Sequence, residues 1–274
     1  MDTDEFNQVR TDADPIRQAR RATELLAIYG QRTTELARLR KAAIDRAHDE
    51  LGMSYTDVAA QVGITKGRIT QLRKSAPPVE RAFFGVGPVT VAVPVRAVAD
   101  RPHGVIALED STAAERLGDL LTSLSLAVEP YQIPPDGTWE PPLDAVAICG
   151  PKSSQVTAEA IAADPYLSFE PDDDGRWVIT DRGTGEVFVS PADVGDASQD
   201  IAYITRVPRQ GGTLVIVAGV HALGSIGAVE YLTANLPALY GVVGDAPFSL
   251  VVSSTFDGTT VTQTETAWGP KVHT

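Results

Sequence analysis

Thr65, Lys66, Arg68, Gln71, Arg73 and Lys74 crowd into one short stretch of the chain, with Ile69 and Leu72 between them. Guanidinium and carboxamide groups bond base edges in the major groove of DNA, and ammonium and guanidinium groups neutralise phosphates. A helix through this stretch buries the two aliphatic residues and offers the polar set on its other side. The spacing therefore predicts a DNA-reading helix, with Arg68 and Gln71 reading bases and Arg73 and Lys74 on phosphate. The plainer alternative is a helical hairpin with a solvated basic face.

A second set of residues suits an anion. Gly150, Lys152, Ser153 and Ser154 follow one strand-like apolar run, and Gly219, His221, Gly224 and Ser225 follow another. Each set opens a helical run, where free N–H groups and the positive end of the helix favour phosphate or carboxylate, and Lys152 adds a point charge. Asp200, Arg206 and Arg209 flank a further strand-like run and are expected at the same rim. The expectation is one cleft for a small anionic ligand, with a nucleotide among the candidates. Its plainer alternative is a pair of tight turns and a structural histidine.

Catalytic chemistry finds less support. The run GVHALGSI has the G-x-x-x-x-G frame of a phosphate loop, but Ser225 stands where that loop carries Lys and Ile226 where it carries Ser or Thr. The G-x-G-x-x-G spacing of dinucleotide enzymes is missing too. Cys149 has no histidine near it, and His48, His103, His221 and His273 are too scattered for metal-ligand spacing. Asp172, Asp173 and Asp174 lack the other ligands of a calcium loop. No catalytic residue, metal or cofactor is assigned.

These residues need elements to hold them. Ser54 and Asp57 form a capping box, Val58, Ala59, Val62 and Ile64 make an apolar stripe, Gly63 supplies the turn, and Thr65 caps the polar helix. Upstream, Asp14 and Pro15 start a helix with Ile16, Ala19, Ala22, Leu25, Leu26 and Tyr29 on one face, and Gly30 is its expected stop. Thr33 or Thr34 then caps another helix running toward Leu51. The reading is an acidic disordered tail over residues 1–14, a four-helix all-α helix-turn-helix domain over 15–75 and a stiff Pro-containing linker over 76–81.

Residues 82–274 alternate between strand and helix. Strands are expected at 89–95, 103–108, 127–131, 143–149, 200–204 and 213–218, with a hairpin within 167–189 and closing strands at 248–254 and 259–266. Helices are expected at 110–124, around 155–163 and from 219 to about 236. This pattern predicts an α/β Rossmann-like domain with a mainly parallel sheet and an antiparallel hairpin addition, whose ligands sit beyond the carboxyl ends of the strands.

The phrase SYTDVAAQVGITKGRITQLR resembles the helix-turn-helix of region four in bacterial sigma factors and of one-component regulators that share this module. The runs VAICGPKSS, DIAYITRVPR and VIVAGVHALGSIGAVEYL are similar to the C-terminal halves of actinobacterial regulators with a sigma-like helix-turn-helix, for which no ligand is established. The first resemblance implies Thr65, Lys66, Arg68 and Gln71 as candidate base readers with Arg73 and Lys74 on phosphate, and the second implies the pairing of the two domains. The second also implies that the phrases at Gly150 to Lys152, Asp200 to Arg206 and Gly219 to Ser225 form one site.

Charge fits that division. The 274-residue chain carries a formal charge of −13, yet residues 15–75 hold 12 Lys and Arg against 6 Asp and Glu, and residues 82–274 hold 9 against 24. A basic head can approach DNA while an acidic body is repelled, which predicts salt-dependent binding. One cysteine excludes an intramolecular disulfide framework, and no apolar run approaches a membrane span. The expected protein is a cytoplasmic, homodimeric transcription regulator that binds double-stranded DNA and takes a small anionic ligand. An enzyme of nucleotide turnover with a DNA-binding head, and a scaffold whose second domain only oligomerises, remain the competing readings.

Overall fold

The computed structural model describes residues 3–99 and 103–274. The chain begins with helix α1 (Thr3–Arg10), where a disordered tail was expected; residues 1 and 2 of that tail lie outside the described residues. It folds back on α2 (Pro15–Asp49): Tyr29 donates its hydroxyl to Glu5 at 2.8 Å, Phe6 stacks on the Tyr29 ring, and Arg17 pairs with Asp12 at 2.6 Å.

Helix α2 is one 35-residue rod, about 52 Å long, and not the two helices expected. Asp14 caps it, accepting from the Ile16 and Arg17 amides, with Pro15 in its first turn. Gly30 lies in mid-helix, and Thr33 and Thr34 turn their hydroxyls back to the carbonyls of Tyr29 and Gly30 instead of capping a new start. The expected apolar face stays largely uncovered, with Ile16 and Leu26 exposed. Residues 15–75 thus hold three helices.

Helices α3 (Tyr55–Val62) and α4 (Lys66–Ser75) pack on the C-terminal third of α2 around Ile44, Val58, Ala59, Ile69 and Leu72. Local chemistry sets their ends as expected. The Ser54 hydroxyl accepts the Asp57 amide and donates to the Asp57 carboxylate at 2.6 Å. Gly63 takes φ 74° at the turn, and the Thr65 hydroxyl accepts the Arg68 amide. Val62, expected on the apolar stripe, is exposed.

The expected linker ends inside the core. Residues Val79–Phe84 form a 3-10 turn in which Arg81, Ala82, Phe83 and Phe84 are all buried. A sequence reading places Pro-Pro between domains because proline breaks the preceding helix, but Phe83 and Phe84 pack edge to face and belong to the main hydrophobic cluster.

The α/β part follows as β1 (Val89–Pro94), α5 (Leu108–Ser123), β2 (Val128–Ile133), β3 (Asp144–Ile148), α6 (Gln155–Ala162), β4 (Leu167–Pro171), β5 (Trp177–Asp181), β6 (Val187–Val189), β7 (Gln199–Arg209), β8 (Gly212–Gly219), α7 (Ala222–Val243), β9 (Phe248–Asp257) and β10 (Thr260–Val272). Seven strands form one mixed sheet in the order β10-β9-β7-β8-β3-β1-β2. The pairs β2-β1, β1-β3 and β3-β8 are parallel, and β8-β7, β7-β9 and β9-β10 are antiparallel. Five of the seven strands therefore point the same way, and the hairpin expected within 167–189 is a separate antiparallel sheet in the order β4-β5-β6.

The strand expected at 103–108 does not form. Val105 makes a single bridge to Arg96 before α5 begins at Leu108, two residues ahead of the expected start at 110, with Ala107 as its N-cap. A short apolar run has no periodicity to distinguish a strand from a segment laid against the core, and Ile106 packs in that second way.

Side-chain alternation fills both faces of the sheet. Val89, Val91, Val146, Ile148, Val215 and Val217 face α5 and α7, whereas Ala92, Ala145, Ala147, Leu214 and Ile216 face α6 and the small sheet. Among the described residues no helix is long and apolar enough to cross a membrane.

Candidate functional site

Strand order reverses between β1 and β3: the chain leaves β1 for β2 through α5 on one face, then returns to the other side of β1 and leaves β3 through α6 on the opposite face. The two connections diverge and open a crevice at the carboxyl ends of these strands. A cleft of about 610 Å³ lies there. Its floor and rim come from Pro94 to Arg96 after β1, Cys149 to Ser153 after β3, and Gly219 to Ala222 after β8.

The two loops singled out in the sequence meet in this cleft. Gly150, Lys152 and Ser153 line one side, and Gly219, His221 and Ser225 the other. Lys152 is exposed at the rim. His221 is held by Asp193 at 3.0 Å from its Nε2. Ser154 does not reach the cavity: it is buried as the N-cap of α6, accepting the Thr157 amide and the Trp139 indole N–H.

Asp200 and Gly224 have architectural roles. Asp200 is buried, and its Oδ2 accepts the His221 amide at 3.2 Å and the Gly224 amide at 2.6 Å, so the carboxylate caps the first turn of α7. Its Oδ1 accepts the Ser190 hydroxyl and its own neighbour's amide at Ile201. Burial raises the Asp200 pKa, and these donors work against that rise. The anion seat expected at α7 is thus filled by the protein itself. Gly224 is glycine because a Cβ there would come within 2.5 Å of the Ile201 carbonyl and 2.8 Å of Asp200.

Arg206 and Arg209 lie at the opposite end of the sheet. Because β7 runs antiparallel to β8, with Arg206 opposite Val215 and Arg209 opposite Gly212, the end of β7 meets the start of β8. Arg206 is buried and donates to the carbonyls of Phe83, Ala82 and Asp245 and to the Thr213 hydroxyl. Arg209 donates to the carbonyls of Pro141 and Pro142. Neither belongs to the cleft.

Several residues unmarked in the sequence do. Arg96 pairs with the buried Asp110 at 3.0 Å, and burial raises the pKa of that carboxyl against the guanidinium's pull. The small antiparallel sheet supplies Arg176 and Trp177, with Phe169 packed edge to face on the Trp177 ring at 5.7 Å, and the 3-10 turn Pro191–Val194 supplies Asp193. Cys149 lines the floor, donating to or accepting from Thr157, and burial pushes its thiol up to about 11, so it stays protonated and unreactive at neutral pH. Arg96, Lys152 and Arg176 are three of only nine Lys and Arg in residues 82–274. They stand against the lining carboxylates Asp110 and Asp193, and Arg176 also pairs with Asp172 and Asp174, so Lys152 is the lining cation with no ion pair among the described residues.

In the helical head, Thr65, Lys66, Arg68, Gln71, Arg73 and Lys74 are all exposed on α4. Arg68 and Gln71 face each other, Nη1 to Oε1 at 2.7 Å. Arg73 also fastens α4 to its neighbours: its Nε pairs with Asp45 on α2 at 2.7 Å and its guanidinium lies over the Tyr55 ring at 4.5 Å.

No protein-family model, curated protein or solved structure matches the chain.

Proposed function

We propose that this chain is a DNA-binding transcription regulator: a helix-turn-helix head joined to a Rossmann-like body whose cleft binds a small anionic ligand. The observation that carries the reading is the α3–α4 pair. Both caps and the left-handed Gly63 turn are in place, Ile69 and Leu72 are buried, and Thr65, Lys66, Arg68, Gln71 and Lys74 stand exposed along the same helix. The resemblance of residues 54–73 to sigma region four agrees with it. The cleft at the strand-order reversal, with Lys152 exposed at its rim, supports the sensing half.

The active form is a homodimer, because one short helix with so few free cations buries too little DNA surface for specificity at physiological salt. Binding to fragments from the protein's own upstream region, measured by anisotropy at two salt concentrations, tests the reading. Arg68→Ala is expected to cost roughly 1–3 kcal/mol and relax preference at one base position, whereas Lys74→Ala weakens all sequences alike and lowers the salt slope by about one. The absence of salt-sensitive binding to any such fragment refutes it.

A further inference from the structure

The identity of the anion follows from how the cleft's charges are already spent. We propose that the cleft is a nucleoside monophosphate site, with the phosphate against Lys152 and the nucleoside read by the wall of Trp177, Arg176 and Asp193; this rests on the anion-cleft reading above.

The phosphate has one place to go. The first turn of α7 is closed by Asp200, which holds its His221 and Gly224 amides. Arg96 is tied to Asp110, and Arg176 to Asp172 and Asp174 at 2.8 and 2.9 Å. Lys152 is left as the cleft cation with no ion pair among the described residues. One free ammonium, with both guanidiniums already ion-paired, matches a single phosphate. The four negative charges of a triphosphate would face Asp110 and Asp193 without enough cations to offset them.

The rest of the cleft is built for something other than phosphate. Its volume of about 610 Å³ is in the range of sites that enclose a drug-sized molecule and is far larger than an inorganic ion needs. One wall is aromatic and fixed in advance, since Trp177 is held edge to face against Phe169; a heterocyclic base stacks on such a surface. Beside it stands Asp193. One carboxylate oxygen accepts from His221, and the other, Oδ2, is buried with no donor among the described residues. A shielded carboxylate oxygen without a partner is costly, and a small rotation of the side chain offers it to a hydroxyl or amine on the ligand. A ribose diol or an exocyclic amine supplies that donor. The small sheet β4-β5-β6 and the turn after it therefore act as the specificity wall, and the 150–154 loop as the phosphate wall.

Isothermal titration of the full chain with the nucleoside 5′-monophosphates, the nucleosides, ATP, ribose 5-phosphate and inorganic phosphate tests this, with Trp177 fluorescence as a second readout. At least one monophosphate is expected to bind ten or more times tighter than inorganic phosphate, ribose 5-phosphate and ATP. Lys152→Met lowers affinity for the monophosphate and its parent phosphate together. Asp193→Asn and Trp177→Leu, with unchanged melting temperatures, each weaken the monophosphate about tenfold and leave inorganic phosphate untouched; either variant suffices if the other fails to fold. Equal binding of ribose 5-phosphate or phosphate overturns the nucleoside assignment, tighter binding of ATP overturns the monophosphate assignment, and either leaves the anion cleft standing. Binding of no anionic probe overturns both.

Discussion

At the scale of single residues, the chain uses its buried charges mostly as internal ligands for its own backbone. Asp200 takes the place of an anion at α7, and Arg206 gathers carbonyls from the 3-10 turn and the loop after α7. A network of side chains sits at the end of β10: His273 Nε2 is 2.7 Å from the Ser249 hydroxyl, which also donates to the buried Asp164 that accepts from Tyr203. Burial lowers the His273 pKa below 6.5, against the pull of Asp164. The unfolded chain therefore binds more protons than the folded one between the lowered value and 6.5, so this residue's contribution is complete above 6.5 and is lost as pH falls through the folded pKa. Urea unfolding of the wild type between pH 7.5 and 5.5 is expected to show a loss of stability that His273→Gln reduces. An identical pH slope in the two proteins refutes the assignment.

At the scale of elements, two glycines with open space around them separate local backbone preference from packing. Neither Gly30 nor Gly63 has an atom within 4 Å of where a Cβ would sit. Gly30 is inside α2, so Gly30→Ala is expected to stabilise by about 0.5–1 kcal/mol. Gly63 sits at φ 74°, so Gly63→Ala is expected to destabilise by about 1 kcal/mol through backbone strain alone. Thermal or urea unfolding reads both signs, and a loss of stability in Gly30→Ala would mean that α2 does break there. The Gly30 misreading is instructive: a glycine near threonines looks like a stop followed by a cap, but the same threonine hydroxyls can bond back to carbonyls one turn earlier. Gly63 was legible because a capping box precedes it and Thr65 follows.

At the scale of the whole molecule, the cleft and the helical head occupy opposite ends of the body. The cleft is at the carboxyl ends of β1, β3 and β8. The head meets the other end, where Arg81 is fully buried and donates to Gln31 on α2 at 2.7 Å and to the carbonyls of Val86, Leu124 and Ser125. Helix α7, about 33 Å long, spans the distance, with His221 at its cleft end and Tyr240 at its head end within electrostatic reach of Arg38 on α2. A residue in a simple tether could be replaced at little cost. Arg81→Met is instead expected to destabilise by roughly 3 kcal/mol or more, because it leaves several buried carbonyls without a donor, and Gln31→Ala by about 1 kcal/mol. In Gln31→Ala, hydrogen exchange should quicken along the middle of α2 and stay unchanged in the sheet. A cost under about 0.5 kcal/mol for Arg81→Met would restore the linker reading.

The sequence by itself determined what neighbours a few residues apart decide: the Asp14, Ser54 and Thr65 caps, the left-handed turn at Gly63, the continuous apolar runs of β3 and β8, and the glycine-containing turns at 150 and 219. Those signals are local hydrogen bonds and apolar runs, written in the chain whatever surrounds it. Strand direction is different, since parallel and antiparallel strands share the same alternation and only pairing with distant partners chooses between them. That choice carried Arg206 and Arg209 to the far end of the sheet. Burial against the sheet likewise turned the expected linker into core at Phe83 and Phe84, and Asp200 into a helix cap. The most distant contacts mattered most for the site: Arg96, the pair Arg176 and Trp177, and Asp193 come from three separate segments, and only the packing of the small sheet and the 3-10 turn over the strand ends brings them to Lys152 and His221.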